Sequence, residues 1–255
     1  MFFYHLIFKS LIFYIILQDY ISTKFPKFDQ ITINRFISSI HAIYVVINSL
    51  IFFMGFHSHC AYEMTHPFSI GYLLYDILFS LYTYSIGVSK NKPTHIIWMF
   101  IHHLLLSICL VSCPIGLEWY VAFGLLCEIS TPFLHMSWYN KENNLLHTTI
   151  GKCVSTCLIT TFFVTRVLIF GYIQIMLPYE IPNEHIGYYY ICMSVIFMSI
   201  IYGLNLYWFY NLVDMYLKNY IPVIRDSLIA RHIFRSEFKT VSYTHLRAHE
   251  TKGNL

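Results

Sequence analysis

Charged residues are scarce in this sequence. Asp, Glu, Lys and Arg make up 11% of its 255 residues, whereas hydrophobic residues make up 57%. A soluble domain has about 25% charged residues, so this chain lacks the polar surface that a water-soluble fold needs. The net charge of +3 is small and scattered, which argues against a nucleic-acid partner. The composition predicts an integral membrane protein that acts in lipid.

Signatures of metal and cofactor sites are also missing. The sequence contains no HExxH motif. The seven cysteines lie mostly within apolar runs, at positions 60, 109, 113, 127, 153, 157 and 192. The pairs Cys109/Cys113 and Cys153/Cys157 share a helix face without any zinc-ligand context. We therefore interpret the cysteines as small packing residues, and predict neither a metal nor a cofactor.

Long apolar stretches make up most of the sequence, and polar residues or prolines bound each one. A transmembrane helix needs about 20 mostly apolar residues. The predicted spans 1 to 7 are Phe2–Leu17, Arg35–Phe56, Phe68–Val88, Thr94–Cys113, Leu117–Trp138, Leu146–Leu177 and Ile186–Tyr216. The predicted fold is all-α, a polytopic transmembrane helix bundle of about seven spans. The long sixth span is expected to tilt or bend.

Basic residues occur in alternate loops. They follow spans 1, 3, 5 and 7 and are absent from the other three loops. The basic loops contain Lys24, Lys27, Arg35, Lys90, Lys92, Lys141 and Lys152. The positive-inside rule places these loops and the C-terminus in the cytosol. An odd number of spans then places the N-terminus in the lumen or outside the cell.

The chain divides into four predicted segments. Residues 1–33 form an N-terminal span with a cytosolic loop, and residues 34–216 form the main membrane domain. Residues 217–239 have the apolar and basic spacing of an amphipathic helix on the cytosolic leaflet, with a disordered basic tail as the alternative. Residues 241–250 read VSYTHLRAHE, which resembles the translation of a sequencing-library adapter. We expect residues 240–255 to be an artefact and exclude them from fold reasoning.

Polar side chains inside the predicted spans form the candidate site. A charged group at the bilayer centre costs roughly 3 kcal/mol or more, so each is a functional hypothesis and should face the bundle interior. The set comprises His41, Tyr72, Asp76, His102, His103, Glu128, His135, Arg166 and Asn205. Histidine supplies a base or nucleophile near neutral pH, and a carboxylate can orient it. We interpret His41, Asp76, His102, His103, Glu128 and Arg166 as the lining of one cavity, with interhelical polar packing as the alternative.

Helix geometry predicts contacts within this set. Adjacent residues point about 100° apart, so one of His102 and His103 should face the cavity and the other a neighbouring helix. Tyr72 lies one turn before Asp76, which places a hydroxyl beside a carboxylate. Glu128 and Arg166 are candidate ion-pair partners across spans 5 and 6, either as part of a site or as a structural salt bridge.

A proline interrupts the fifth span close to its carboxylate. Pro132 follows Glu128-Ile-Ser-Thr. Because proline has no N–H, it should free the carbonyl of Glu128 and bend the helix. The hydroxyls of Ser130 and Thr131 are expected to cap the freed groups. A bend beside a buried carboxylate is one way to shape a cavity.

Six segments, in order, resemble those of the TLC-domain family. The segments are NRFISSIHAIYV (34–45), FSIGYLLYDIL (68–78), MFIHHLLLS (99–107), CEISTPFLHMSWY (127–139), the arginine within FFVTRVLIFGY (162–172) and LNLYWFYNLV (204–213). This family of helical membrane proteins includes ceramide synthases, the translocating-chain-associating membrane protein and small lipid-homeostasis proteins of the endoplasmic reticulum. The resemblance implies a six-helix TLC core preceded by an N-terminal span.

The motifs favour one branch of that family over another. His102-His103 resembles the His-His element of ceramide synthases. Their next element, His-Asp followed by a further Asp, is replaced here by Leu126-Cys-Glu-Ile-Ser-Thr-Pro132, in which Glu128 is the only carboxylate. This form is more similar to the small TLC-domain proteins akin to transmembrane protein 56. On the resemblance, His102, His103 and Glu128 are candidate catalytic residues, and the candidate substrate-binding residues are His41, Tyr72, Asp76, Arg166 and Asn205.

Three functions follow from the resemblance. The first is lipid homeostasis in the endoplasmic reticulum, with membrane lipids as partners. The second is a ceramide-synthase-like acyltransferase that uses acyl-CoA as a substrate, with the basic 1–2 and 3–4 loops at its cytosolic entrance. The third is a non-catalytic cargo receptor or membrane-insertion partner, which binds a second copy of itself or other membrane proteins.

Overall fold

The computed structural model of this chain describes residues 2–55, 59–88, 93–111, 118–180 and 188–220. The regular elements in these ranges are helical. The α-helices are α1 (Phe2–Lys24), α2 (Gln30–Phe53), α3 (His59–Ser85), α4 (Pro93–Val111), α5 (Glu118–Leu126), α6 (Ser130–Glu142), α7 (Thr149–Phe162), α8 (Phe170–Glu180) and α9 (Tyr188–Tyr220). The 3-10 turn Cys127–Ile129 joins α5 to α6, and the π-helical turn Phe163–Ile169 joins α7 to α8. Within these ranges the elements therefore form seven continuous helical segments, which we call rods. They are α1, α2, α3, α4, α5 with α6, α7 with α8, and α9.

The rods have the length and composition of membrane helices. In the described ranges, four stretches are long and apolar enough to cross a bilayer: Phe3–Lys24, Gln30–Phe53, Thr149–Met176 and Val195–Tyr220. Large hydrophobic side chains also point outward, such as Ile16 at 61% and Ile175 at 64% exposure. An apolar outer surface of this kind requires lipid around it. The prediction of an all-α membrane bundle is confirmed.

Side-chain caps define where two of the rods begin. The Asp29 carboxylate accepts a hydrogen bond from the backbone N–H of Thr32 at 2.7 Å, at the start of α2. The hydroxyl of Thr148 accepts one from the N–H of Gly151 at 3.0 Å, at the start of α7. Both caps satisfy donors that the first helical turn leaves without partners.

Each rod extends beyond its predicted span at one end; α1, for example, continues to Lys24, a residue of the predicted 1–2 loop. α3 begins at His59 rather than at Phe68, so Pro67 lies inside the helix and does not end the loop before it. Proline removes one backbone hydrogen bond from a helix. A membrane helix tolerates this loss where neighbouring helices pack around the site, and Pro67 is fully buried. α9 continues to Tyr220 and includes residues 217–220 of the predicted tail. Residues 221–239 and the predicted artefact 240–255 lie outside the described residues.

The N-terminal helix is packed into the bundle. Ile7 and Tyr14 of α1 join a buried cluster with Ile70, Tyr72 and Tyr75 of α3. The hydroxyl of Ser10 donates to the carbonyl oxygen of Phe68 at 2.9 Å. Gly71 permits this approach, since a Cβ built at its position would lie 2.5 Å from Cβ of Ser10. A small residue at a membrane helix crossing lets two backbones come close.

Gly71→Ala should separate α1 from α3. The added methyl group would also lie 2.9 Å from the carbonyl oxygen of Ile7, which is backbone and cannot rotate away. We expect a loss of about 1–3 kcal/mol in the free energy of unfolding, as for other overpacked sites. Unfolding of the purified protein in detergent measures the loss.

Gly124→Ala is the matched control for that measurement. Gly124 is also a helical glycine, and a Cβ there meets no atom within 4 Å. Because alanine is the better helix former by about 1 kcal/mol, this variant should be as stable as the native protein or slightly more stable. Equal losses from both variants would contradict the proposed packing of α1 on α3.

Candidate functional site

The two adjacent histidines of α4 point toward different helices. Nδ1 of His103 lies 3.2 Å from Oδ2 of Asp76 on α3. The His102 ring meets the Trp208 ring of α9 edge to face, with centroids 5.1 Å apart. The prediction that the two side chains diverge is confirmed. α4 therefore separates two groups of buried polar residues.

The first group centres on Asp76, which is 4% exposed. Its Oδ1 accepts a hydrogen bond from Nδ2 of Asn34 on α2 at 2.9 Å. Its other oxygen, Oδ2, is the one that faces His103. The carboxylate thus contacts α2 and α4 from its position on α3. Nδ1 of His103 lies near Oδ2 but the two atoms lack hydrogen-bond geometry, so the contact is electrostatic and leaves the orientation of the imidazole ring unfixed.

An aromatic stack lies beside this carboxylate. The rings of His41 and Tyr72 are parallel within 16° at a centroid distance of 4.0 Å. The hydroxyl of Tyr14 on α1 lies 2.8 Å from Nδ1 of His41. The hydroxyl of Tyr72 donates to Oγ of Ser38 at 2.6 Å, so it bonds to α2 rather than to Asp76 as the spacing predicts. The difference arises because the stack on His41 directs the Tyr72 ring toward α2.

The second group is built around an ion pair. Nη2 of Arg166 lies 3.0 Å from Oε1 of Glu128, which confirms the predicted pair. Arg166 also donates from Nε to Oγ of Ser130 at 3.0 Å, and the Thr131 hydroxyl donates to Oε2 of Glu128 at 2.6 Å. Additional hydrogen bonds of this kind are what a buried salt bridge needs to offset the loss of hydration.

Both partners of the ion pair lie in irregular helical turns. Glu128 belongs to the 3-10 turn that precedes Pro132, and Arg166 belongs to the π-helical turn between α7 and α8. The proline accounts for the first irregularity because it cannot donate to the carbonyl of Glu128. The Ser130 hydroxyl donates to the carbonyl of Cys127 at 3.1 Å, whereas the Thr131 hydroxyl serves the carboxylate and not the backbone. π-Helical turns within membrane and soluble helices are frequent at functional sites.

Two further polar residues lie close to the second group. His102 is 6% exposed and lies within electrostatic range of Arg166 and Glu128. Asn205, one turn before Trp208 on α9, is 1% exposed. Neither Nδ1 of His102 nor Oδ1 of Asn205 has a hydrogen-bond partner among the described residues. Buried polar atoms of this kind have unused capacity for a ligand or water.

His135 occupies a separate position. Its Nδ1 lies 3.0 Å from the hydroxyl of Ser39, which joins α6 to α2. Nearby, the guanidinium carbon of Arg35 lies 3.2 Å from the centre of the Trp138 ring. These contacts hold the two helices together at one end. Among the described residues, no three His, Cys, Asp or Glu side chains are grouped closely enough to hold a metal ion.

A narrow groove opens between α3 and α4 beside His103. Its walls are mainly apolar and consist of Ile77, Ser80, Leu81, Ile96, Met99, Phe100 and His103. Its cavity volume is about 10 Å³, roughly the space of one water molecule. The groove is therefore a shallow apolar depression in the surface and not a pocket that encloses a ligand.

Sequence reasoning omitted Tyr14 and Asn34 from the site. Asn34 could have been found, because Asn34, Ser38, His41 and Val45 recur at helical spacing and all are buried on one face of α2. Tyr14 carries no such signal, since it is one of 22 tyrosines and lies in a helix with many outward-facing aromatic residues. Only the packing of α1 on α3 identifies it.

These features define a multi-pass helical membrane protein with a polar interior. A family model described as the TLC domain matches residues 31–214. The chain therefore belongs to the TLC-domain family. No curated protein and no solved structure matches it. The matched region begins after α1, although Tyr14 of that helix contacts His41 within the region.

Arg166→Met should leave the Glu128 carboxylate buried without its cation. Glu128 is 20% exposed through its side chain, so water compensates little of the lost charge. We expect the free energy of unfolding in detergent to fall by about 3–5 kcal/mol. Replacing both partners, as E128M/R166M, should recover most of that loss because no unpaired charge remains. A double variant as unstable as the single one would contradict the assignment of a coupled pair.

Proposed function

We propose that this TLC-domain protein acts on lipids inside the bilayer, by binding or modifying them, and so contributes to lipid homeostasis. The contact between Asp76 and His103 beside the groove carries this proposal. It combines an imidazole beside a buried carboxylate with an apolar surface that a hydrocarbon chain can lie against. Ionisable residues inside membrane helices are expensive and mark functional sites.

The position of the groove supports a lipid as the ligand. Five of its seven lining residues are Ile, Leu, Met or Phe. His103 lies near the middle of α4, at bilayer depth, and its side chain is 16% exposed. A ligand that reaches this depth from the membrane must be largely apolar, and its polar group can bond to the imidazole.

The contact between Asp76 and His103 also favours a second candidate function, a ceramide-synthase-like acyltransferase. A carboxylate that bonds to Nδ1 of a histidine leaves Nε2 to act as a base, and a contact that is not yet a hydrogen bond can tighten when a ligand binds. Acyl-CoA would be the acyl donor, and basic residues at the ends of the spans, such as Lys24 and Lys141, would attract its anionic headgroup. The absent His-Asp element argues against an identical mechanism, since Glu128 is paired with Arg166 at that place.

Lipidomics of a host that expresses the protein tests this function. His103→Ala removes the imidazole but leaves the Glu128 and Arg166 pair intact, so the protein should fold while its effect on the lipidome is lost. A changed ceramide or other acylated class in the native sample alone would identify the substrate class. Expression of each variant is matched by immunoblot.

Tyr210→Ala serves as the control for that experiment. Tyr210 is 70% exposed on the outside of α9 and has no part in the interior groups. It should reproduce the native lipidome. If the native protein, H103A and Y210A shift the lipidome alike, the interior polar residues are structural. A cargo receptor or membrane-insertion partner would then be the better description.

We propose that the protein resides in the endoplasmic reticulum with a luminal N-terminus and a cytosolic C-terminus. Basic residues at the ends of rods support this orientation. Lys24 lies in the last turn of α1, Lys141 in the last turn of α6 and Lys218 in the last turn of α9. With seven antiparallel spans, these three ends lie on one side of the membrane, where the positive-inside rule puts the cytosol.

Engineered glycosylation tests the orientation. The sequence contains no native Asn-x-Ser/Thr acceptor. A flexible insertion that carries one acceptor should be glycosylated after Glu184, between α8 and α9, and not after Asn144, between α6 and α7. Gel mobility before and after glycosidase treatment gives the result. A glycan after Asn144 would reverse the proposed orientation.

A further inference from the structure

Two cysteines lie close to the beginning of α7. The helix begins at Thr149, and Lys152 and Cys153 are both exposed in its first two turns. Cys157 follows one turn later and is half-buried. The pair thus places two free thiols one turn apart at one end of a membrane-spanning rod.

Cys153 faces away from the bundle. The buried side of α7 includes Val154, Leu158 and Phe162. The exposed side carries Cys153, Thr156 and Thr160, which recur at three- and four-residue spacing. The thiol therefore lies on the outward stripe, where the surrounding medium is lipid or headgroup.

Tyrosines of α9 mark the depth of this end of the bundle. The hydroxyl of Tyr220 lies 3.0 Å from that of Ser155, and the hydroxyl of Tyr216 lies 3.3 Å from that of Thr156. Tyr and Trp concentrate at the headgroup level of a bilayer, and exposed Lys152 belongs at the same level. Cys153 is adjacent to both markers, so its thiol lies at the membrane interface.

The packing role predicted for the cysteines fits Cys127 but not Cys153. Cys127 is 4% exposed, and its thiol donates to the carbonyl of Thr165 at 3.2 Å. Cys153 is exposed. An outward thiol at the interface is accessible to an acyl donor at the membrane surface.

We propose that Cys153, with Cys157 as a second acceptor, is a site of S-acylation by a long-chain fatty acyl group. Juxtamembrane cysteines are the usual acceptors of this modification. The sulfur of Cys153 attacks the carbonyl carbon of an acyl-CoA thioester, and the bond between that carbon and the CoA sulfur breaks. The thiol proton passes to the departing CoA sulfur, so the exchange of one thioester for another involves no oxidant or reductant. A membrane acyltransferase of the host supplies the catalyst.

The modification is independent of the proposed action on lipids. Cys153 lies on the outer face of α7, whereas Asp76 and His103 lie between α3 and α4. The attached chain would run along the outward stripe of the same helix and add hydrophobic contact with the surrounding lipid. Loss of the thiols should therefore leave any effect on the lipidome in place.

Metabolic labelling of the full chain with an alkynyl fatty acid tests the site. Native protein should carry a label that neutral hydroxylamine removes, as expected of a thioester. C153S/C157S should lose that label. A converse variant retains only Cys153 and Cys157 and has serine at positions 60, 109, 113, 127 and 192. This variant should keep the label.

Several results would overturn the proposal. An unlabelled native protein, or a C153S/C157S protein that keeps its label, would place acylation elsewhere or nowhere. The converse variant would also contradict the proposal if it carried no label. This holds when it is expressed at the native level and elutes from size exclusion as the native protein does. A Cys153 that reacts with a membrane-impermeant maleimide only from the luminal side would exclude the cytosolic acyl-CoA as donor.

Discussion

The architecture depends on one constraint, that a polar group in hydrocarbon must find its partner inside the bundle. The carboxylate of Asp76 illustrates it, because one oxygen accepts a hydrogen bond from Asn34 on α2 and the other lies 3.2 Å from Nδ1 of His103 on α4. Each such contact fixes the rotation of a helix about its own axis, which apolar packing in lipid does only weakly. The polar residues thus define how the rods pack as well as the chemistry between them.

The ion pair of Glu128 and Arg166 satisfies the same constraint, but it does so through irregular helical turns. The two residues lie in turns that depart from α-helical geometry in opposite directions, one tighter and one wider. A proline explains the tight turn. The wide turn has no comparable signal in the sequence, and its exposed residues are as apolar as those of the helices on either side. Together the turns let a long side chain and a short one meet with their hydrogen bonds satisfied.

Much of the fold could be predicted from sequence because hydrophobic length is a direct signal in a membrane protein. The same holds for the pairing of Glu128 with Arg166, since two opposite charges at bilayer depth have few other partners. The positions of the helix ends were harder to predict from the sequence, as Pro67 within α3 shows. Contacts between helices that are distant in sequence were the hardest to predict. Nothing in the local sequence indicates that Tyr72 stacks on His41 or that Tyr14 contacts His41. Such contacts depend on the rotation of each rod, which periodicity alone defines poorly.

The divergence of His102 and His103 has a mechanical consequence. Because they are neighbours on one helix, a rotation of α4 about its axis moves both side chains by the same angle. The turn that brings His103 closer to Asp76 therefore changes the contact of His102 with Trp208 in the same motion. The two polar groups are thus joined through one helix, so that any rotation of α4 would change both contacts together.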